Sequence, residues 1–174
     1  DISHLVPEEV ADFINRYSLY KKPESYETTL KKLLKEDRYI HSLGVRDMAV
    51  ELAKIYGADE KKAEIAGLLH DNAKNLDSQA ERCRELEAEV DEIEWENPAL
   101  LHAKLGAETA KCFFGIYDKD ITEAIKWHTG GKENMTLLEK IVFVADLVEE
   151  NRTYPDAEKL RDLAKKDLDA ALIA

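Results

Sequence analysis

A chain of 174 residues can fill one hydrophobic core but not two ordinary domains, and 44% hydrophobic with 36% charged residues excludes a disordered tail. No run approaches the roughly 20 apolar residues that a membrane-spanning helix needs. The formal charge of −12 argues against nucleic-acid polymers and membrane surfaces as partners, because both ask for a basic footprint.

The hydrophobic period is helical nearly throughout, with seven glycines, four prolines and few β-branched clusters, which predicts an all-α fold, a compact helical bundle. In chain order, helices are expected at 8–18, 24–36, 40–56, 60–73, 78–90, 99–114, 119–128, 137–150 and 156–172. The first is an amphipathic segment built on Val10, Phe13 and Ile14. Gly57 supplies a left-handed stop to the third. Ser78 with Glu81, and Thr136 with Glu139, have capping-box spacing, and Pro155–Asp156 separates the last two helices. Cys83 and Cys112 lie far apart in no redox or metal spacing and read as packing residues, which together with the absence of a secretory signal predicts a reducing, cytoplasmic setting. The chain starts at Asp1 rather than methionine, as a fragment would.

Placing the histidines on these helices turns four of the five inward. His41 shares a face with Val45, Met48, Ala49 and Leu52, His70 with Ala63, Ala66 and Gly67, His102 with Leu105, Gly106 and Ala110, and His128 with Ile121, Ala124 and Ile125. Only His4 does not. One such residue alone is most simply a core histidine satisfied by backbone or water. Four in one small core are expensive to desolvate unless they share a purpose, and a metal ion gives each imidazole nitrogen a strong partner. The small residues beside His70 would let neighbouring helices approach closely. Asp71 follows His70 in GLLHDNAK, after an apolar run where a carboxylate has to be paired or metal-bound. Asp146 interrupts IVFVADLVEE, where a stripe shared with Glu139 and Glu150 reads as a solvated face and Val142 with Phe143 as a buried one.

In order along the chain, His41, the pair His70–Asp71 and Asp146 resemble the H…HD…D signature of the HD superfamily, in which additional histidines, here His102 and His128, accompany two-metal sites bridged by the first aspartate. RYIHSLGV, AGLLHDNAK, HAKLGAETA, AIKWHTGGKENM and LEKIVFVADLVEENR resemble the YqeK family in sequence and order, over about residues 24–174. Asn72 departs from that pattern, standing where an apolar residue is usual, as does Gly130 where a second threonine is expected. The stretch DISHLVPEEVADFINRYSLY is similar to the C-terminal tail of bacterial nicotinate-nucleotide adenylyltransferases. This divides the chain into a segment at 1–23, the tail of a fused adenylyltransferase domain, and an HD domain at 24–174.

The resemblance implies a symmetrical bis(5′-nucleosyl)-tetraphosphatase that splits diadenosine tetraphosphate (Ap4A) into two ADP. It implies two transition-metal ions, divalent or trivalent, with His41, His70, Asp71 and Asp146 on one and Asp71, His102 and His128 on the other. Iron is the first choice by resemblance, since imidazole with carboxylate suits iron, manganese, cobalt or zinc better than magnesium. Asp71 and Lys74 are the candidate catalytic residues, because a helix continuing past Asp71 would project Lys74 toward the site. Lys74, Thr129, Gly130, Lys132 and Arg152 are candidate phosphate contacts, and Trp127 reads either as a stacking platform or as core. An HD phosphohydrolase for another nucleotide, an HD-type di-iron oxygenase and a non-catalytic nucleotide-sensing module are the competing readings. A homodimer stays open.

Overall fold

The computed structural model describes residues 25–174, so the expected helix 8–18, His4 and the whole segment 1–23 lie outside the described residues. Within them the chain forms ten α-helices and one 3-10 turn, with no strand. They are α1 (Tyr26–Leu33), α2 (Glu36–Tyr56), α3 (Glu60–Leu69), α4 (Gln79–Glu85), α5 (Glu92–Glu96), the 3-10 turn Pro98–Leu100, α6 (Leu101–Phe114), α7 (Lys119–Trp127), α8 (Leu137–Val148), α9 (Ala157–Ala164) and α10 (Leu168–Ile173).

The 21-residue α2 is the backbone of the bundle, packing on α3 and α8, while α7 bridges α6, α3 and α8. Its inner stripe Val45, Met48, Ala49, Leu52 and Ala53 is buried against Ala63, Ala66, Leu68 and Leu69 of α3 and Ile141, Val142, Val144, Ala145 and Val148 of α8. The close approach expected beside His70 is present. A Cβ built on Gly67 would lie 3.0 Å from the Arg46 Cα and 3.0 Å from the Val45 carbonyl oxygen, so only glycine lets α2 and α3 meet backbone to backbone here. A smaller core of Ala73, Cys83, Leu101 and Leu105 joins α4 to α6.

Several helix ends follow from their capping residues. The reciprocal capping box of Thr136 and Glu139 forms, and Gly57 closes α2 at φ 72°. Other boundaries differ from expectation. The helix expected at 60–73 ends at Leu69, and residues 70–76 continue as tight turns in which the amides of Asn72, Lys74 and Leu76 donate to the carbonyls of Leu69, Asp71 and Ala73. Ser78 takes a left-handed conformation (φ 53°) and its hydroxyl makes no cap bond, because an N-cap needs extended backbone to aim its oxygen at the first turn. The helix expected at 78–90 stops at Glu85, before the left-handed Glu87. A separate short α5 follows, opened by an Asp91–Glu94 capping box. The helix expected at 156–172 is two, because Asp167 leaves helical geometry (φ −150°) and caps α10 by accepting from the Ala170 amide. Cys83 is buried as expected, whereas Cys112 is exposed on the outer face of α6.

Candidate metal centre

Five helices and one turn deliver the six expected ligands to a single point. His41 comes from the interior of α2, His70 caps the C-terminus of α3, Asp71 begins the turn after it, His102 is the second residue of α6, His128 caps the C-terminus of α7, and Asp146 lies in the last turn of α8. The four imidazoles and Asp71 are buried, and Asp146 is half-buried with its side chain 19% exposed. Of the acids sharing its stripe, Glu139 is buried and Glu150 is exposed.

The ring orientations follow a pattern. The Nδ1–H groups of His70, His102 and His128 donate to the carbonyls three residues before them, Gly67 (2.8 Å), Ala99 (2.7 Å) and Ile125 (2.8 Å). His70 and His128 stand at helix C-termini, where such carbonyls lack helical partners, and His102 takes the carbonyl of Ala99 in the 3-10 turn that leads into α6. His41 sits mid-helix and uses the carboxylate of Glu149 instead, Nδ1 to Oε1 at 3.1 Å. With Nδ1 engaged in each ring, the four Nε2 lone pairs remain to face inward. His41 Nε2 is 2.9 Å from Asp146 Oδ1, while His102 and His128 Nε2 are 3.1 and 3.5 Å from Asp71 Oδ1. His70 Nε2 is 3.6 Å from Asp71 Oδ2 and 3.8 Å from Asp146 Oδ1.

A metal fits this donor set on two observations. His70 Nε2 is fully buried without a hydrogen-bond partner, an orphan that a native core seldom tolerates. His102 and His128 bring their Nε2 atoms within 3.2 Å of one another, so two lone pairs face each other unless a shared cation or proton lies between them. Ligand atoms of His41, His70 and Asp71, of His70, His128 and Asp146, and of Asp71, His102 and His128 each fall within 4.8 Å of one another.

Electrostatics keep His70, His102 and the two aspartates in ligand form. Burial pushes the His70 imidazole down to about 4 and lowers His102 as well, so both stay neutral. Burial acts to raise Asp71, but the surrounding imidazoles of His70, His102 and His128 overcome it and hold the carboxylate far below its usual range. Burial likewise opposes the ionisation of Asp146, and the imidazoles of His41, His70 and His128 outweigh it. His41 differs from His70 and His102. Burial disfavours its charge, yet Asp146 and Glu149 raise it above its ordinary value against the effect of Arg152.

Three cations ring the cluster. Lys74 Nζ lies 3.1 Å from His102 Nε2, held there by the turn rather than by a continuing helix. Arg152 donates to Asp146 Oδ1 at 2.6 Å and to the Asp146 carbonyl oxygen at 2.9 Å. Arg38, which the sequence reading missed, reaches Asp71 Oδ2 at 3.5 Å. Its position three residues before His41 on a helix was the available signal. Thr129 and Gly130 form the turn after His128. Lys132 is engaged elsewhere, pairing with Glu139 at 2.8 Å and Glu123 at 3.1 Å. Trp127 is half-buried, its Nε1–H bonded to Glu123 and one face covered by the ammonium of Lys104 at 3.2 Å. Lys104 is itself buried and paired with Glu94 at 3.1 Å. Asn72 is fully buried, donating to the Gly106 carbonyl oxygen and accepting from the Thr109 hydroxyl, which ties the turn after His70 to α6.

Comparison with known proteins agrees with this geometry. The HD domain family model matches residues 38–151. A protein of Halalkalibacterium halodurans named symmetrical bis(5′-nucleosyl)-tetraphosphatase is 46% identical over 147 residues, covering 83% of this chain and 78% of that protein. Its namesake in Bacillus subtilis is 44% identical over 145 residues, with the same coverage. A Mycoplasma genitalium protein named probable nicotinate-nucleotide adenylyltransferase/Ap4A hydrolase is 33% identical over 175 residues, covering 97% of this chain but 48% of that protein. The crystal structure of a predicted HD superfamily hydrolase involved in NAD metabolism, from Clostridium acetobutylicum, superimposes with a TM-score of 0.81 at 43% identity, covering 86% of this chain and 82% of that one. The chain belongs to the HD domain family and, within it, to the symmetrical bis(5′-nucleosyl)-tetraphosphatases.

Proposed function

We propose that this chain hydrolyses Ap4A symmetrically to two ADP at a two-metal centre, with His41, His70, Asp71 and Asp146 holding one ion and Asp71, His102 and His128 the other. The observation that carries this reading is the set of four buried imidazoles, each engaged at Nδ1 and each turning Nε2 toward Asp71, Asp146 or both. When bound, the ions make water nucleophilic near neutral pH and neutralise phosphate charge. Iron is our first choice, with manganese, cobalt or zinc able to use the same donors.

The chain's own residues bind and orient the polyphosphate. Lys74, Arg152 and Arg38 have as partners the very nitrogens and oxygens that would ligate metal, so loading the site frees their N–H groups for phosphate oxygens. Arg152 suits a bidentate clamp and Lys74 a point contact to the leaving phosphate, with the Thr129–Gly130 turn contributing amides. Lys132 supports that turn from its ion pairs with Glu139 and Glu123. Water oxygen bonds to one central phosphorus, the bridging bond between the two central phosphates breaks, and each half leaves as ADP. These cations also reconcile a substrate bearing several negative charges with a chain of net charge −12.

We place the reaction in the cytoplasm, in keeping with two free cysteines and with no helix among the described residues being long and apolar enough to cross a membrane. We read residues 1–23 as the tail of a fused adenylyltransferase domain, supported by a Mycoplasma relative whose name joins both activities. Chromatography of products from Ap4A tests the chemistry. ADP alone is expected, whereas ATP with AMP, or no turnover on any dinucleoside polyphosphate by the metal-loaded protein, overturns it.

A further inference from the structure

Three of the four cluster histidines satisfy Nδ1 from their own helix ends, and the fourth is built differently. In the interior of α2 the carbonyls near His41 are already used by the helix, so its Nδ1–H needs an acceptor from elsewhere in the fold. That acceptor is Glu149, 1% exposed, presented where α8 ends and the chain turns to extended geometry. Its second oxygen accepts from the backbone amide of Asn151 at 2.8 Å and the Asn151 side chain at 2.9 Å, so both oxygens are used and the carboxylate is locked. Room for it is made by Gly44. A Cβ there would collide with Glu149 Oε2 and lie 3.0 Å from its Cδ and 3.1 Å from Asn151 Nδ2. A glycine in α2, a buried acid after α8 and an asparagine two residues on thus serve one contact.

We propose that Glu149 is a positioning residue that widens the difference between the four-ligand and the three-ligand metal positions, by giving His41 an anionic hydrogen-bond partner where His70, His102 and His128 have neutral carbonyls. This rests on the two-ion reading above. An anionic acceptor on Nδ1–H increases the electron density at Nε2 and fixes the ring's orientation, strengthening His41 as a donor to the ion it shares with Asp146. Neutral partners leave the His102–His128 position the weaker of the two. Glu149 touches neither substrate nor ion and acts through His41.

The test is stepwise zinc titration of the metal-free full chain against a competing chelator, with unfolding followed in parallel. The wild type is expected to take two equivalents with distinct affinities. Glu149→Gln, which keeps size but removes charge, is expected to weaken the tighter step by about 10- to 100-fold while moving the other less than about threefold. Gly44→Ala, which displaces the carboxylate without neutralising it, should act on the same step. Two equivalents in the wild type with both steps unchanged in the folded variants, or both weakened alike, overturns the inference alone. Fewer than two in the wild type overturns the two-ion reading and the inference with it. In the zinc-loaded wild type, which needs no variant, the His41 Nδ1–H proton should resonate downfield of the other three in the NMR spectrum, and a position among or upfield of them counts against the proposal.

Discussion

Acidifying the metal-free protein from pH 7 to pH 4.5 is expected to lower its unfolding free energy by about 2 to 3 kcal/mol, chiefly through His70. Burial holds this imidazole at about 4 in the folded chain, against 6.5 when exposed. Between these values the unfolded chain takes up a proton that the folded chain refuses, so stability is full above about pH 6.5 and falls as the pH drops through the window. The gap of about 2.5 pH units, at about 1.4 kcal/mol each, amounts to about 3.5 kcal/mol once fully traversed. No discount for solvent screening applies, because the ring is 0% exposed. His102, lowered by burial, adds to the loss. His41, raised by Asp146 and Glu149 in spite of burial, contributes stability that changes only above about pH 6.5. Asp71 and Asp146, held below their ordinary values in spite of burial, lose theirs only below about pH 4. Urea unfolding followed by circular dichroism, after chelation and at a series of pH values, reads the slope, and His70→Leu should flatten it by about 2 kcal/mol. A wild-type stability constant across the window, or an undiminished slope in the variant, would refute the claim that His70 is kept neutral as a ligand must be.

Asp71→Asn is expected to abolish binding of both ions and reduce turnover by more than about 100-fold, beyond the usual effect of losing a ligand's hydrogen-bond partner; metal content and rate are measured together. Lys74→Ala and Arg152→Ala should each lower kcat/KM for Ap4A by about 10- to 100-fold, the worth of one charge-assisted hydrogen bond. Lys132→Ala, which breaks pairs with Glu139 and Glu123, should change kcat/KM less than about threefold while lowering thermal stability. Gly67→Ala gains helix propensity of up to about 1 kcal/mol but drives a methyl into the backbone of α2, and the overpacking term of about 1 to 3 kcal/mol should win. A melting temperature lower by about 2 to 4 °C checks it.

The inward-facing histidines were legible because each shares a helical stripe with apolar residues that local spacing reveals. Asp146 was harder, since its stripe mixes Glu139 and Glu150 with Val142 and Phe143, and only the tertiary structure sends Glu139 into a buried pair with Lys132 while leaving Glu150 in solvent. Glu149 gave no local sign, because its burial depends on the chain leaving α8 at that residue and passing beneath Gly44 of α2. Lys104 and Glu94 were missed for a related reason. A buried ion pair between elements with no shared period looks, in sequence, like two surface charges. The boundary errors have local causes that spacing does not reveal: tight turns follow α3 at residues 70–76, the left-handed Glu87 lies just past the end of α4, and Asp167 leaves helical geometry to cap α10.

The most direct test of the two-metal centre is elemental analysis of reconstituted protein, alongside its rate of ADP formation from Ap4A. About two equivalents of transition metal per chain are expected, with activity rising as the second is filled. Fewer than one equivalent after reconstitution, or full turnover in a thoroughly chelated sample, would contradict the two-metal reading.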